Sequence, residues 1–221
     1  GRTFMDVLNL IFELLIGCFA LVALYIHTGT LSNGARRGTL VYYTTLSNLL
    51  IGLFFVIRSF GRVFMWNGDF FCAVFLSPFS WFAATIMIFV TYLIYNFLLL
   101  PAIKKDPELY GEAGNYKTFG NISVHYLVPL LSFANWLLFA NKGLAQWSYA
   151  VFWIAIPLLY AVVIFIRGEF GKNIPGSDGK YPYEFMSPDK IGWKTVWMNM
   201  GILVAAFLVL GFVVIGLGKL L

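Results

Sequence analysis

Six stretches of the chain are apolar almost without interruption: Met5–Ile26, Leu40–Ile57, Phe79–Leu100, Ile122–Ala140, Tyr149–Ile166 and Val196–Leu217. A helix needs about 20 mainly apolar residues to cross the hydrocarbon core of a bilayer. The pattern therefore predicts an all-α protein, an integral membrane bundle of six transmembrane helices that occupies residues 1–221 as a single domain. Phe70–Phe79 is too short to span and ends beside Pro78, a residue suited to the first turn of a helix. This run reads as an interfacial lead into the third span. The first stretch is long, carries Glu13 and lacks a small-x-small cleavage pattern, so it reads as a span and not as a signal peptide. With six crossings, residues 1 and 221 fall on one face, side A, together with the loops 58–78 and 141–148. The other three loops lie on side B.

Polar residues inside the apolar stretches recur at helical spacing. Thr44, Ser47 and Asn48 share one face of the second span, and Asn121, His125, Ser132 and Asn135 share one face of the fourth. The third adds Thr85, Tyr92 and Asn96, and the first adds Asp6, Asn9 and Glu13. A bilayer core offers no water, so these groups are expected to face the bundle interior and find partners there. Thr44 and His125 both follow shortly after entry from side B. At about 1.5 Å rise per residue they lie about one turn below the same surface. Asn96 and Asn199 come at comparable depth. The spacing thus predicts a polar cavity opening to side B, lined by Thr44, Asn48, Asn96, Asn121, His125 and Asn199. Pro129 has no N–H to give the His125 carbonyl, which predicts a bent or hydrated backbone beside the only histidine lying well inside a span. Read by spacing alone, Thr44 could instead bond back to its own helix, and His125 could serve as an interhelical hydrogen-bonding group.

Composition narrows the class. The chain is 60% hydrophobic and only 11% charged, where about 25% is usual, which excludes a soluble globular domain. Its net charge of +5 is scattered between apolar runs with no phosphate-tracking stripe, so nucleic acid is not an expected partner. Most Lys and Arg fall on side B, but so does most of the loop length, and the charge count leaves the orientation open. Cys18 and Cys72 show no ligand spacing and read as packing residues; no metal or cofactor is expected.

Three segments taken in order have a recognisable likeness: Tyr42-Tyr43-Thr44-Thr45-Leu46-Ser47-Asn48-Leu49-Leu50, then Asn121-Ile122-Ser123-Val124-His125-Tyr126-Leu127-Val128-Pro129, then Tyr181-Pro182-Tyr183-Glu184-Phe185. The chain resembles the bacterial branch of the androgen-induced gene family of multi-pass membrane proteins. Eukaryotic members are threonine-dependent hydrolases of fatty acid esters of hydroxy fatty acids that require an intramembrane Thr and His. Matched motif by motif, the resemblance implies that Thr44 and His125 fill these roles. Neighbouring Thr45 is the other candidate, and Thr44 is preferred because it shares a face with Ser47 and Asn48. Eukaryotic sequences tend to carry a second His beside the Asn, where this chain has Ile122.

The implied chemistry is nucleophilic. A threonine hydroxyl attacks an ester only once a base takes its proton, and an imidazole is the usual base. His27 lies at the end of the first span, leaving His125 as the partner. The amides of Asn48 or Asn121 would steady the oxyanion. Arg36, Arg37 or Lys117 at the side-B rim would hold a lipid carboxylate or phosphate. The expected partners are membrane lipids or fatty acyl esters in a bacterial cell membrane. A non-enzymatic transporter or lipid-binding protein could use the same cavity, and His27 with His125 is the one conceivable axial pair for a haem. The aromatic loop Arg167–Trp193 is expected to be either a lid over the side-B mouth or an interfacial anchor.

Overall fold

The computed structural model describes residues 3–29, 38–105, 116–175, 177 and 179–220. Regular structure among them is entirely helical. Six helices are long and apolar enough to cross a membrane: α1 Phe4–His27, α2 Tyr43–Val63, α3 Pro78–Lys105, α4 Phe119–Phe139, α5 Tyr149–Phe170 and α6 Pro188–Leu220. The protein is an all-α multi-pass membrane protein, as the apolar pattern predicts.

The helix starts have local causes. Thr3 and Asp6 form a capping box on α1, with the Thr3 hydroxyl accepting from Asp6 N at 3.2 Å and the Asp6 carboxylate accepting from Thr3 N at 2.9 Å. Asp6 is therefore an exposed cap, not part of the buried stripe. Ser77 caps α3 by accepting from Ser80 N at 3.1 Å, with Pro78 in the first turn. The run before it folds as a helical turn, Asp69–Phe71, followed by a π turn, Cys72–Leu76, which fits the lead-in that its length predicts. Thr118 caps α4 by accepting from Asn121 N at 3.2 Å. Each such cap is worth about 1 kcal/mol.

Prolines shape two spans from within. A π turn, Tyr95–Leu99, ends two residues before Pro101, and another, Ser123–Leu127, ends two residues before Pro129. A proline ring collides with the carbonyl one α turn back and leaves it without a donor. A turn containing one residue more widens the helix at that place. The disturbance expected beside His125 thus takes the form of a π turn with His125 at its centre.

The described residues group into two compact units. In the first, α1 to α4 pack around an interior that is polar at several levels. Its most costly element is an ionic cluster: fully buried Glu13 accepts from Arg58 Nε at 3.0 Å and from Arg62 at 2.9 Å. The Arg58 guanidinium also donates to the Phe75 carbonyl and lies 4.2 Å from the Trp81 ring centroid. Glu13 thus has two basic partners that the sequence pattern does not reveal, because that pattern ends the second span at Ile57. The helix continues to Val63 and carries both arginines on its buried side.

The second unit contains α5, α6 and residues 38–43. Its two helices run antiparallel, with Trp153 against Phe207 and Trp147 against Phe212. Close to the Ala150 backbone, Gly211 leaves no room for a Cβ. At Gly192, φ of +76° breaks the first turn of α6, Pro188–Ile191, from the long apolar segment that follows. The connection between α5 and α6 is packed and not extended. Tyr181 lies against Gly168 and Phe165, Tyr183 stacks on Phe185 at 5.3 Å, and Arg167 donates to the Lys172 and Lys180 carbonyls. Burial holds the phenols of Tyr42 and Tyr181 above their ordinary pKa, Tyr181 further through the charges of Asp189 and Glu169.

Candidate active site

The second span begins at Tyr43, three residues later than its apolar run predicts. Thr39–Val41 form a separate 3-10 turn and Tyr42 is extended, with φ −84° and ψ 134°. Long-range hydrogen bonds fix this entry. The Tyr160 hydroxyl donates to Val41 O at 2.7 Å, and the Tyr183 hydroxyl accepts from Tyr43 N at 3.0 Å. Thr44 is consequently the second residue of α2. Its N–H and that of Thr45 precede the helical ladder and have no partner among the described residues.

The side chains of Thr44 and His125 meet at 3.3 Å, Oγ1 to Nε2. Both residues are buried, 8% and 5% exposed. His125 Nδ1 lies 3.0 Å from Asn121 O. A carbonyl only accepts, so Nδ1 carries the proton and Nε2 presents its lone pair to the Thr44 hydroxyl. In this orientation an imidazole takes a proton from a nucleophile. The Asn121 carbonyl fills the orienting place that a carboxylate occupies in acid–base–nucleophile triads. Thr45 makes no hydrogen bond to His125, so the geometry selects Thr44 of the two neighbouring threonines.

Tyr95 completes the pair's surroundings. Its ring stacks on His125, centroids 3.8 Å apart and planes within 19°, and its hydroxyl donates to Asn121 Oδ1 at 2.8 Å. One side chain thereby contacts both His125 and the residue that orients it. The His27 ring meets His125 edge to face at 5.7 Å. This approach depends on Gly120, where a Cβ would stand 2.9 Å from the His27 Cα. Both nitrogens of His125 are engaged, Nε2 by the Thr44 hydroxyl and Nδ1 by the Asn121 carbonyl.

Other residues expected at the site have different tasks. Asn48 spends both N–H groups on carbonyls, Thr44 O at 2.9 Å and Val124 O at 3.1 Å. It ties α2 to α4 and is not an oxyanion donor. Ser47 bonds Thr91 at 2.7 Å and Thr44 O at 3.2 Å. Asn96 is occupied by Tyr92 O and the Tyr126 hydroxyl, both at 2.8 Å, and does not reach the pair. Asn121 contributes its carbonyl to His125, and its Nδ2 has no partner among the described residues. Asn199 belongs to the second unit, where it donates to Phe185 O at 3.1 Å. Lys117 is exposed, its ammonium 5.9 Å from the Tyr116 ring centroid. Arg36 and Arg37 lie outside the described residues.

Sequence reasoning missed Tyr95 and Thr91. They sit four residues apart on α3, on a stripe next to the Thr85, Tyr92 and Asn96 stripe that the polar spacing picks out. Their i, i+4 relation was a usable signal.

If Tyr95 positions His125, Tyr95→Leu is expected to lower kcat several-fold with KM unchanged and to shift the imidazole NMR resonances. Tyr95→Phe, which keeps the stack, is expected to retain most of both. Equal losses in the two variants would contradict that role.

No family model, curated protein or solved structure matches the chain.

Proposed function

We propose that this protein hydrolyses long-chain fatty acyl esters within the membrane, with Thr44 as nucleophile and His125 as general base. The observation that carries the reading is the 3.3 Å approach of Thr44 Oγ1 to the unprotonated nitrogen of an imidazole whose other nitrogen is held by Asn121 O. Thr44 Oγ attacks the ester carbonyl as its proton passes to Nε2. The tetrahedral oxyanion faces the free N–H groups of Thr44 and Thr45 in the first turn of α2, where the helix dipole also favours negative charge. His125 then protonates the leaving alkoxide. Water attacks the acyl-threonine, gives its proton to Nε2, and releases the fatty acid while Thr44 recovers its hydroxyl.

The motif likeness described above supports membership of the bacterial branch of the androgen-induced gene family, a location in the bacterial cell membrane, and fatty acid esters of hydroxy fatty acids as the first substrates to try. An imidazolium has no lone pair for Thr44, so turnover is expected to fall as acidification protonates His125. The test is hydrolysis of a series of such esters by purified protein in nanodiscs across a range of pH. Cleavage with an acidic loss is expected. Lipid binding without cleavage of any ester would replace the hydrolase by a carrier.

A further inference from the structure

The interior of the α1–α4 unit contains a series of buried polar atoms that find no hydrogen-bond partner among the described residues: Asn48 Oδ1, Ser123 Oγ, Ser132 Oγ, Thr85 Oγ1, Asn135 Oδ1, Trp81 Nε1 and Ser59 Oγ. Contacts between helices order them by depth. Asn48 donates to Val124 O, so Asn48 and Ser123 lie at the level of the Thr44–His125 pair. Ser47 meets Thr91 and Phe89 stacks on Phe133 at 4.6 Å; Ser132, on the same helix as Ser123, lies about two and a half turns further in. Phe82 packs on Trp136, and Asn135 donates to Asn9 at 3.0 Å, which sets Thr85 and Asn135 at the next level. Arg58 over Trp81 brings Trp81 and Ser59 level with the Glu13 cluster. Between Asn48 and Ser59, α2 rises about 16 Å, and the seven orphaned polar atoms are distributed over that rise on α2, α3 and α4.

Magnitudes decide what this means. A buried polar atom without a partner costs about 1–3 kcal/mol, so seven would rival the whole net stability of a domain, about 5–15 kcal/mol. An ordered water satisfying such an atom costs about 0–2 kcal/mol in entropy and removes the penalty. The far end of the series reaches solvent, since Arg62 is partly exposed and Asp6 exposed.

We propose that these atoms hold a file of ordered waters, running from the Glu13–Arg58 cluster to Thr44 and His125, and that this file delivers the water that hydrolyses the acyl group. The role rests on the hydrolase reading. In the step it serves, water oxygen bonds to the acyl carbon, its proton goes to His125 Nε2, the bond from that carbon to Thr44 Oγ breaks, and the proton returns to Thr44. The acyl substrate and the water then reach Thr44 by separate routes.

The experiment compares the full-length protein with Thr85→Val/Ser132→Ala, and with Thr85→Ser as the variant that keeps the hydroxyl. X-ray radiolytic footprinting reads buried water directly, through oxidation of neighbouring rings. A chromogenic long-chain ester separates acylation from deacylation. In the parent and in Thr85→Ser, the buried rings of Trp81 and Trp136 are expected to oxidise as exposed rings do; in the double variant they are expected to be protected. The double variant is expected to release its first equivalent of chromophore at the parental rate and then turn over about tenfold more slowly, a barrier change of about 1.4 kcal/mol. Protected rings in the parent, or a double variant with parental turnover, would overturn the proposal. If the parent cleaves no ester, the hydrolase reading fails and the delivery role falls with it, while footprinting still decides whether the water file exists.

Discussion

Thr44→Ala is expected to lower ester turnover by at least about 10³-fold, and His125→Ala by a similar factor. Nucleophile and base act as one unit, so the double variant should be little worse than either single one. Thr44→Ser is expected to retain part of the activity, because it keeps the hydroxyl at the second position of α2 and loses only a methyl group. The flanking hydroxyls offer no rescue: Ser47 is bonded to Thr91 and to the Thr44 carbonyl, and Thr45 makes no bond to His125. Thr44→Ala should cost about 1–3 kcal/mol of stability, since it leaves the buried His125 Nε2 without its partner, so folding of each variant is checked first. The check is single-turnover and steady-state kinetics on folded variants. Parental rates in Thr44→Ala would show the nucleophile to be elsewhere, and fully additive losses in the double variant would show that the two residues act separately.

The largest expected effect on stability lies at Glu13. Removing one member of a buried ion pair strands the other charge, at about 3–5 kcal/mol. Glu13→Ala leaves Arg58, 6% exposed, with the Phe75 carbonyl and the Trp81 and Phe54 faces but no opposite charge among those contacts. The loss should approach that figure even though Arg62 can turn toward solvent. Replacing the pair with apolar groups of similar volume, Glu13→Leu with Arg58→Met, should recover much of it, because the desolvation of two charges is removed along with their attraction. Reversible unfolding in mild detergent with increasing denaturant measures this. A Glu13→Ala protein within about 1 kcal/mol of the parent would mean that Arg58 finds other partners once Glu13 is gone and that the pair carries little energy.

The parts of the fold legible in the sequence were those set by local physics. Spans follow from runs of apolar residues, and the lead-in at Phe70 and the helix start at Pro78 follow from residue type and position, whereas Asp6 was read as part of the polar stripe and is a cap. The meeting of Thr44 and His125 was legible too, from matched depth on two polar stripes. What escaped depends on distant partners. The start of α2 is set by Tyr160 and Tyr183, more than a hundred residues away in sequence, and nothing between Leu40 and Tyr43 announces it. That displacement moves Thr44 into the first turn, where its backbone N–H and that of Thr45 precede the helical ladder. The partners of Glu13 escaped because Arg58 and Arg62 look like loop charges once the span is taken to end at Ile57. Asn96 bonds Tyr126, the neighbour of His125, and so lies at the expected depth, but depth does not specify which neighbour a side chain meets.

The central claim is that an ester's acyl group passes through Thr44 Oγ. It is tested most directly by trapping that species: acid quench of the protein with a long-chain ester in the first turnovers, proteolysis, and mass spectrometry of the peptide spanning Tyr42–Leu50. The acyl mass is expected on Thr44 in the first turnovers and is expected to be absent from Thr44→Ala. An acyl group on Thr45, Ser47 or another residue, or turnover with no acylated peptide at any time, would contradict it.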